Sequence, residues 1–421
     1  MGKTISEKIL AKASGRPAVS PGEYLEVSSR LPVTMGVDMG RGPNQVEELG
    51  LSRVFNPKLI NIVDGHSGVT GQPQAAEARR AIVRWARKVG IPEENIYLLG
   101  RSGIEHVFAG EKCWALPGEC FLQATNGHTP TLGALGAFAV TLSYGSGGYL
   151  VTGKTWIKVP ETVRFDITGN LPEGVMARDV FEYILGQIGP TGCAGQVMEF
   201  TGPTIDNMEM DARFSLCCNA LFTGAWTAII NPDQKTLDYV KKRTSEPFKP
   251  LVSDPDAQYA KVYHFDISNL APQVVPPPER YIVKPVTELE GMTINSGFIG
   301  SCANSRMEDM IIAGRILKKH RVYPGVILNI TPGTPNIYKQ ALDEGLIRIF
   351  MDAEAVIPAP ACGMCPGRNT PLAAGDVCIS TGTCNYPGRM GSKDAEIYAA
   401  STATVAASCI EGRITDPRKY L

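Results

Sequence analysis

The stretch Phe298-Ile-Gly-Ser-Cys302-Ala-Asn-Ser-Arg306 decides how this chain is organised. The apolar run Ser296–Ile299 predicts a strand that ends just before Cys302, and the amphipathic pattern over residues 307–318 predicts a helix just after it. A thiolate between a strand and a helix gains from the helix dipole and from nearby backbone N–H groups. Cys302 is therefore a candidate metal ligand.

A cysteine pair follows Cys302 after sixty residues, in Ala361-Cys362-Gly-Met-Cys365-Pro-Gly367. A lone C-x-x-C pair suits half of a zinc site, a redox dithiol or part of an iron–sulfur site. Together with Cys302, the pair can hold a cubane cluster by three of its irons and leave the fourth iron open. A structural zinc site would need a further Cys or His at short spacing, and none stands there. Ordinary buried thiols remain an alternative.

Length and composition indicate a globular protein with several domains. The 421 residues suffice for two or three domains, and a net charge of −1 gives no sign of nucleic-acid binding. No apolar run reaches the roughly 18 residues of a membrane span, and no signal-peptide core stands at the N-terminus. The eleven cysteines are an odd number, so we expect a reduced, cytoplasmic setting rather than a disulfide framework.

Strand and helix patterns alternate along much of the chain. The strand pattern at 59–63, the amphipathic helix pattern at 74–89 and the strand pattern at 95–99 form a β–α–β unit. Such units build parallel sheets with helices on their faces. The sequence therefore predicts the α/β class.

Composition also suggests where the domains meet. The proline-rich run 271–278 predicts a stiff linker, and the alanine-rich run 395–407 predicts a helix. We predict three α/β domains, of which the first holds the histidine loops and the third holds the three cysteines: 1–160, 161–284 and 285–421.

Three of the five histidines follow predicted strands in loops that also contain glycine: His66, His106 and His128. In a parallel sheet such loops meet beyond the carboxyl ends of the strands, where ligands bind. Histidine is the most common proton-transfer side chain near neutral pH, so we predict that the three serve one site. A structural role is the alternative for each of them taken singly.

These motifs resemble those of the aconitase superfamily. The two cysteine motifs match its cluster loops, and nearly the whole chain resembles the family of 3-isopropylmalate dehydratase large subunits, including residues 133–138, 152–161 and 410–416. The resemblance implies an aconitase-like fold of three α/β domains around a [4Fe-4S] cluster, without the swivelling fourth domain. It implies Cys302, Cys362 and Cys365 as the cluster ligands. It also implies a separate small subunit that carries the swivelling domain.

The resemblance further implies roles for loop residues. His66, His106 and His128 carry over as catalytic histidines, and Asp64 is a substitute for the aspartate that the family has at the position of Gly65. An aspartate beside a histidine orients the ring and stabilises its charged form. The candidates for substrate binding come from the loops of the same pocket: Thr129, Asn126, Ser301, Arg389 and Cys384.

Several positions depart from the family pattern. Asn126 stands where the family has an aspartate, and Cys384 replaces one of two arginines that clamp substrate carboxylates, which leaves Arg389. Cys218 and Phe222 stand where the family has an asparagine and a glutamate. A thiol cannot hold a carboxylate as a guanidinium does. We therefore expect an altered substrate.

The resemblance with these departures implies an iron–sulfur hydro-lyase, either a dehydratase or an isomerase, for a small hydroxy acid related to isopropylmalate. Two alternatives stay open. One is a cluster enzyme of another class, whose open iron binds a non-hydroxyl ligand such as sulfur. The other is a non-catalytic homologue that binds the cluster.

Overall fold

The computed structural model describes residues 2–36, 48, 50, 52–66, 72–124, 127–365 and 367–421. In these ranges the strands form five sheets, of which three have more than two strands. No helix in the same ranges has both the length and the apolar character that crossing a bilayer requires.

The N-terminal part of the chain consists of short strands joined by helices. Its strands are β1 (Tyr24–Ser28), β2 (Val33–Gly36), β3 (Ile60–Val63), β4 (Ile96–Tyr97), β5 (Cys120–Gln123), β6 (Phe138–Thr141) and β7 (Lys154–Lys158). Strands β2, β3 and β4 form a parallel sheet, β5 and β6 pair in parallel, and β1 and β7 pair antiparallel. Its helices are Ile5–Ser14, Pro73–Lys88, Glu105–Glu111 and Ser146–Thr152. The predicted β–α–β unit is confirmed as β3, Pro73–Lys88 and β4.

The middle part contains a four-stranded sheet in which all neighbouring strands run parallel. Its strands are β8 (Thr162–Thr168), β9 (Val197–Thr201), β10 (Thr227–Ile230) and β11 (Lys261–Asp266). They lie in the order β10-β9-β8-β11. Its helices are Ala177–Ile188, Pro203–Asn207, Met210–Cys218 and Gln234–Lys241. Their apolar faces pack with the buried strand residues in one hydrophobic core.

The C-terminal part contains a six-stranded mixed sheet. Its strands are β12 (Gln273–Val275), β13 (Lys284–Pro285), β14 (Ser296–Ile299), β15 (Ile327–Ile330), β16 (Val377–Ser380) and β17 (Glu396–Ala400), in the order β13-β12-β17-β16-β14-β15. The four strands from β14 to β17 run parallel, and β12 is antiparallel to both of its neighbours. Its helices are Val286–Leu289, Met307–Leu317, Pro335–Asp343, Leu346–Asp352 and Thr402–Glu411. The α/β class is confirmed.

Two predictions fail in this part of the chain. The run 271–278 is not a linker, because Gln273–Val275 is the buried strand β12 and pairs with β17. The run 395–407 is not one helix, because Glu396–Ala400 forms β17 and the helix begins only at Thr402. A place inside a sheet outweighs the local preference of a short segment. The three domain boundaries stay predictions.

The loops after four parallel strands carry most of the predicted site residues. Cys302 follows β14, Cys384 follows β16, His66 follows β3 and His128 follows β5. The carboxyl ends of parallel strands are the usual place for ligands in α/β folds. The fold thus offers one region where chemistry-bearing side chains from distant parts of the chain can meet.

Candidate functional site

The Cys302 loop is tied by hydrogen bonds to the loop after β16. The backbone N–H of Gly300 donates to the Thr381 hydroxyl at 2.8 Å, and the hydroxyl of Ser301 donates to the Thr381 carbonyl at 2.9 Å. Ser301 has a φ of 72°, a left-handed conformation that non-glycine residues rarely adopt. This bend leaves Cys302 buried at the end of the strand, with 6% of its surface exposed. The Ser301 hydroxyl already donates a hydrogen bond to the Thr381 carbonyl. The substrate-binding role of Ser301 stays a prediction.

The loop with the cysteine pair docks on the His66 loop and on Arg389. The backbone N–H of Cys362 donates to the Gly65 carbonyl at 3.1 Å, and Arg389 Nη2 lies 3.2 Å from the sulfur of Cys365. Burial raises the pKa of the Cys365 thiol, but the charge and hydrogen bond of Arg389 outweigh it and leave this pKa below its ordinary value. Arg389 thus stabilises a thiolate, and its predicted role as a carboxylate ligand stays a prediction.

The three predicted cysteine ligands come together in a buried, sulfur-rich region. The hydrogen bond to Cys218 raises the pKa of Cys302 well above its ordinary value, and burial and neighbouring thiolates add to this shift. Those neighbours include Cys362 and Cys365. Buried thiolates on separate loops are the donor set that iron–sulfur clusters use. Cys302, Cys362 and Cys365 therefore fit the cluster that the sequence predicts.

The three predicted histidines stand in a row beside these cysteines. The ring centroids of His66 and His106 are 6.5 Å apart, and those of His106 and His128 are 6.2 Å apart. His106 is fully buried, whereas His128 is half-buried. The structure brings the three rings together, although His106 lies in the first turn of the helix Glu105–Glu111 and not in a loop as predicted. The catalytic role of the three rings stays a prediction.

The other predicted residues differ in what they contact. The carboxylate of Asp64 is buried and pairs with Arg79 of the helix Pro73–Lys88. The hydroxyl of Thr129 lies 2.8 Å from Gln123 Oε1 and 2.5 Å from the hydroxyl of Thr141. Asn126 lies outside the described residues. The roles assigned to Asp64 and Thr129 stay predictions. The contacts of both side chains fix their positions in the site.

An aromatic ring and a thiol occupy the positions where the family pattern has charged groups. The ring of Phe222 lies 6.0 Å from the ring of His128, and the guanidinium of Arg280 lies 4.7 Å above Phe222. Burial raises the pKa of the Cys384 thiol, and the charge of Cys365 raises it further. Cys384 is therefore a neutral, partly buried thiol, which fits the expectation that one carboxylate clamp is missing.

Cys218 belongs to this site, although the sequence showed it only as a departure from a pattern. Its sulfur lies 3.6 Å from Nδ1 of His128, and Nδ1 lies 3.0 Å from the Cys218 carbonyl oxygen. Burial raises the pKa of the Cys218 thiol, but a hydrogen bond from Cys302 and the neighbouring His128 lower it well below its ordinary value. Burial lowers the pKa of His128, and the Cys218 thiolate more than offsets this, so the net pKa is raised. Each of the two groups thus favours the charged form of the other, beside Cys302.

Arg178 is a second residue that sequence reasoning missed. Its guanidinium is completely buried and donates to Asn304 Oδ1 at 3.0 Å and to the carbonyls of Thr381 and Gly382 at 2.5 and 2.9 Å. It also lies 3.3 Å from Glu182, one turn along the helix Ala177–Ile188. One side chain of the middle part therefore fixes both loops that follow β14 and β16.

Gly65 allows a close approach that no other residue can make. A Cβ at this position would lie 2.0 Å from the Gly103 carbonyl oxygen. Gly65→Ala is expected to lower the free energy of unfolding by about 1–3 kcal/mol because backbone must shift. Chemical denaturation measures this change. Gly148→Ala is the matched control, since Gly148 is an exposed position of the helix Ser146–Thr152 and its Cβ would meet no atom within 4 Å. Equal losses in both variants would contradict the explanation.

Glu308, at the start of the helix after Cys302, makes the stability depend on pH. Burial, followed by neighbouring carboxylates, raises the pKa of Glu308 from its ordinary value of 4.5 to about 8. The folded state holds this proton more tightly than the unfolded chain, so this group lowers the free energy of unfolding as the pH rises from about 4.5 to about 8. Glu308→Gln should therefore gain about 1–2 kcal/mol over the wild type between pH 5 and pH 9.

Urea denaturation at both pH values tests this prediction. The exposed Glu354, which pairs with Arg321, provides the control Glu354→Gln. The control should differ from the wild type by the same amount at both pH values. A difference between wild type and Glu308→Gln that is also independent of pH would contradict the prediction.

Comparisons with known proteins agree with the fold and with the cysteine loops. The aconitase family (aconitate hydratase) matches residues 66–286 and 278–412. The chain is 41% identical over 426 residues to "3-isopropylmalate dehydratase large subunit 1" of Methanopyrus kandleri, with full coverage of both chains. It is 40% identical over 424 residues to the "3-isopropylmalate dehydratase large subunit" of Aquifex aeolicus, with 99% and 97% coverage.

One solved structure is also similar, the holo-form of aconitase X from Thermococcus kodakaraensis. The two chains superpose with a TM-score of 0.48 at 12% identity, over 85% of this chain and 84% of the other. The family match covers most of the chain and includes the loops of His66, Cys302 and Cys365. The chain therefore belongs to the aconitase family.

Proposed function

We propose that this chain is the large subunit of an iron–sulfur hydro-lyase that acts on a small hydroxy acid related to isopropylmalate. The observation that carries the proposal is the row of His66, His106 and His128 beside the buried cysteines. The names of the relatives, large subunits of 3-isopropylmalate dehydratase, support the same class of reaction. A [4Fe-4S] cluster held by Cys302, Cys362 and Cys365 would, when bound, supply Lewis-acid chemistry at a substrate oxygen.

The histidine row would handle the proton of the leaving hydroxyl. Burial lowers the pKa of His128, but the Cys218 thiolate raises it overall, which favours the protonated ring that a general acid needs. His106 stands between the other two rings and is fully buried, which excludes competing water. We therefore propose either His106 or His128 as the general acid.

The lining of the site supports an altered substrate. Arg389 remains as an anion partner, but Cys384 is a neutral thiol and Phe222 presents an apolar ring near His128. A substrate with one carboxylate and an apolar part would suit this lining better than one with two carboxylates. We further propose a separate small subunit as the partner, because the relatives are named as large subunits, and a reducing cytoplasmic location.

An activity screen tests the proposal. The chain is reconstituted anaerobically with iron and sulfide, mixed with a candidate small subunit, and offered a panel of mono- and dicarboxylic hydroxy acids. Formation of the conjugated alkene acid is followed by ultraviolet absorbance. Turnover of at least one acid with one carboxylate is expected, whereas a preference for isopropylmalate would overturn the altered-substrate part. No turnover of any acid by a cluster-loaded complex would contradict the hydro-lyase.

His106→Asn is expected to lower kcat by about 10²–10⁴-fold, because a general acid contributes that much. The control is His264→Asn. His264 is exposed on β11 and pairs with Asp166 of β8. The measurement is kcat for the best acid of the panel, with iron content determined for each variant. Equal kcat values in the two variants would remove His106 from the mechanism.

A substrate whose leaving group is sulfur is the second candidate. The observation in its favour is Phe222, which offers an apolar and polarisable face near His128 where the family pattern has a glutamate. Thiol analogues of the hydroxy acids belong in the same panel. Release of sulfide, measured colorimetrically, without release of water from the hydroxy acids would favour this reaction.

A further inference from the structure

One group of potential metal ligands lies partly outside the predicted cluster set. A ring nitrogen of His128 and the sulfur atoms of Cys218 and Cys302 all lie within 4.8 Å of one another. Each comes from a different part of the chain: the loop after β5, the end of the helix Met210–Cys218 and the loop after β14. Both cysteines are buried and His128 is half-buried. Rigid elements thus hold two thiols and an imidazole around one point.

The distances between the three atoms suit ligands of a single ion better than ligands of two different irons of a cluster. Zinc binds sulfur at about 2.3 Å and nitrogen at about 2.0–2.1 Å, so tetrahedral ligands of one ion lie about 3.3–3.8 Å apart. The three atoms need only a small closing movement to reach these distances. In a cubane cluster each cysteine takes its own iron, which separates two cysteine sulfurs by an iron–iron edge as well as two iron–sulfur bonds. Cys218 and Cys302 are too close together for that arrangement.

Two hydrogen bonds fix the position of His128 beside the two cysteines. Its Nδ1 lies 3.0 Å from the Cys218 carbonyl oxygen, and its own carbonyl accepts a hydrogen bond from the Thr131 hydroxyl at 2.7 Å. Nδ1 is also the ring nitrogen that lies 3.6 Å from the Cys218 sulfur, so the carbonyl contact holds this nitrogen beside the proposed ion. Two thiolates and an imidazole are the ligands that borderline-soft divalent ions prefer.

We propose that His128, Cys218 and Cys302 form a site for a single divalent ion of the zinc class, and that this ion and the iron–sulfur cluster exclude each other. Exclusion follows because both need the sulfur of Cys302. The ion site stands on the geometry alone, whereas the exclusion rests on the proposed function. Occupancy by zinc would hold the chain in a form that cannot take up the cluster.

Cobalt titration tests the ion site. Co²⁺ replaces zinc as a coloured probe, and thiolate ligation gives a near-ultraviolet charge-transfer band together with the visible bands of tetrahedral cobalt. Co²⁺ is added anaerobically to the iron-free full-length chain. The wild type should bind about one Co²⁺ with both sets of bands. Cys218→Ala and Cys302→Ala should lose the bands, and His128→Asn should bind Co²⁺ at least about tenfold more weakly.

Cys362→Ala is the decisive control. Cys362 is a predicted cluster ligand but does not belong to the group of three, so Cys362→Ala should keep the cobalt bands while it loses the cluster. Loss of the bands in Cys362→Ala to the same extent as in Cys218→Ala would overturn the ion site, and so would full retention of the bands in Cys218→Ala. Circular dichroism of every variant, together with the conservative Cys218→Ser, separates loss of a ligand from loss of the fold.

A competition experiment tests the exclusion. The wild type preloaded with Zn²⁺ should take up iron and sulfide at least about tenfold more slowly than the zinc-free chain, and Cys218→Ala should show no such effect of zinc. Equal uptake by zinc-loaded and zinc-free wild type would overturn the exclusion. If the zinc-free wild type takes up no cluster but shows the cobalt bands, the cofactor of the proposed function fails while the ion site stands.

Discussion

Cys302→Ala is expected to abolish binding of the cluster and to lower hydro-lyase activity by at least about 10³-fold, a loss of about 4 kcal/mol of transition-state stabilisation. Cys302 lies beside Cys218, and the charges of Cys218, Cys362 and Cys365 all act on it. Its removal leaves two thiolates, which cannot hold a cubane by three irons. Activity of the complex and visible absorbance after anaerobic reconstitution measure the effect.

Cys193→Ala is the matched control for the loss of a buried thiol. Cys193 is completely buried in the core of the middle part, and burial raises the pKa of its thiol to about 11. This variant should keep both the absorbance of the cluster and the activity. Undiminished absorbance in Cys302→Ala would show that the cluster is held elsewhere.

Arg178→Met is expected to lower the free energy of unfolding by about 3–5 kcal/mol, because it breaks a buried ion pair and leaves buried acceptors without a donor. The acceptors that lose the guanidinium are Asn304 Oδ1 and the carbonyls of Thr381 and Gly382. These atoms belong to the loops that carry Cys302 and Cys384. The variant should therefore also lose iron faster under a chelator than the wild type does.

The exposed Arg348, which lies 3.6 Å from Asp352, provides the control Arg348→Met. An exposed pair of this kind contributes little, so the control should unfold at the denaturant concentration of the wild type. Chemical denaturation followed by circular dichroism compares the three proteins. Equal unfolding midpoints for the two variants would show that Arg178 does not hold the loops together.

The sequence was sufficient to predict the strand before Cys302 and two of the loops that meet at the site. Ser296–Ile299 forms the predicted strand before Cys302, and the loops of His66 and His128 follow parallel strands as predicted. His106 joins their rings from the first turn of the helix Glu105–Glu111 and not from a loop. Periodicity and the ends of parallel strands are local properties, so they can be inferred from one chain.

The residues that sequence reasoning missed depend on contacts between distant parts of the chain. Nothing in the helix Met210–Cys218 indicates that its last residue lies beside Cys302, since only the packing of the middle part against the C-terminal part brings them together. A buried arginine such as Arg178 is equally hard to predict, because arginine is seldom buried without partners and three of its partners lie over 120 residues away. The strand Gln273–Val275 was hidden in a proline-rich run for the same reason.

The measurement that tests the central claim most directly is an anaerobic assay of iron and acid-labile sulfide with EPR, on the wild type and on Cys302→Ala. The claim is that Cys302, Cys362 and Cys365 hold a [4Fe-4S] cluster beside the histidine row. It predicts about four irons and four sulfides per chain in the wild type, with an EPR signal that Cys302→Ala lacks. A wild type that carries no iron even after anaerobic reconstitution would contradict the claim.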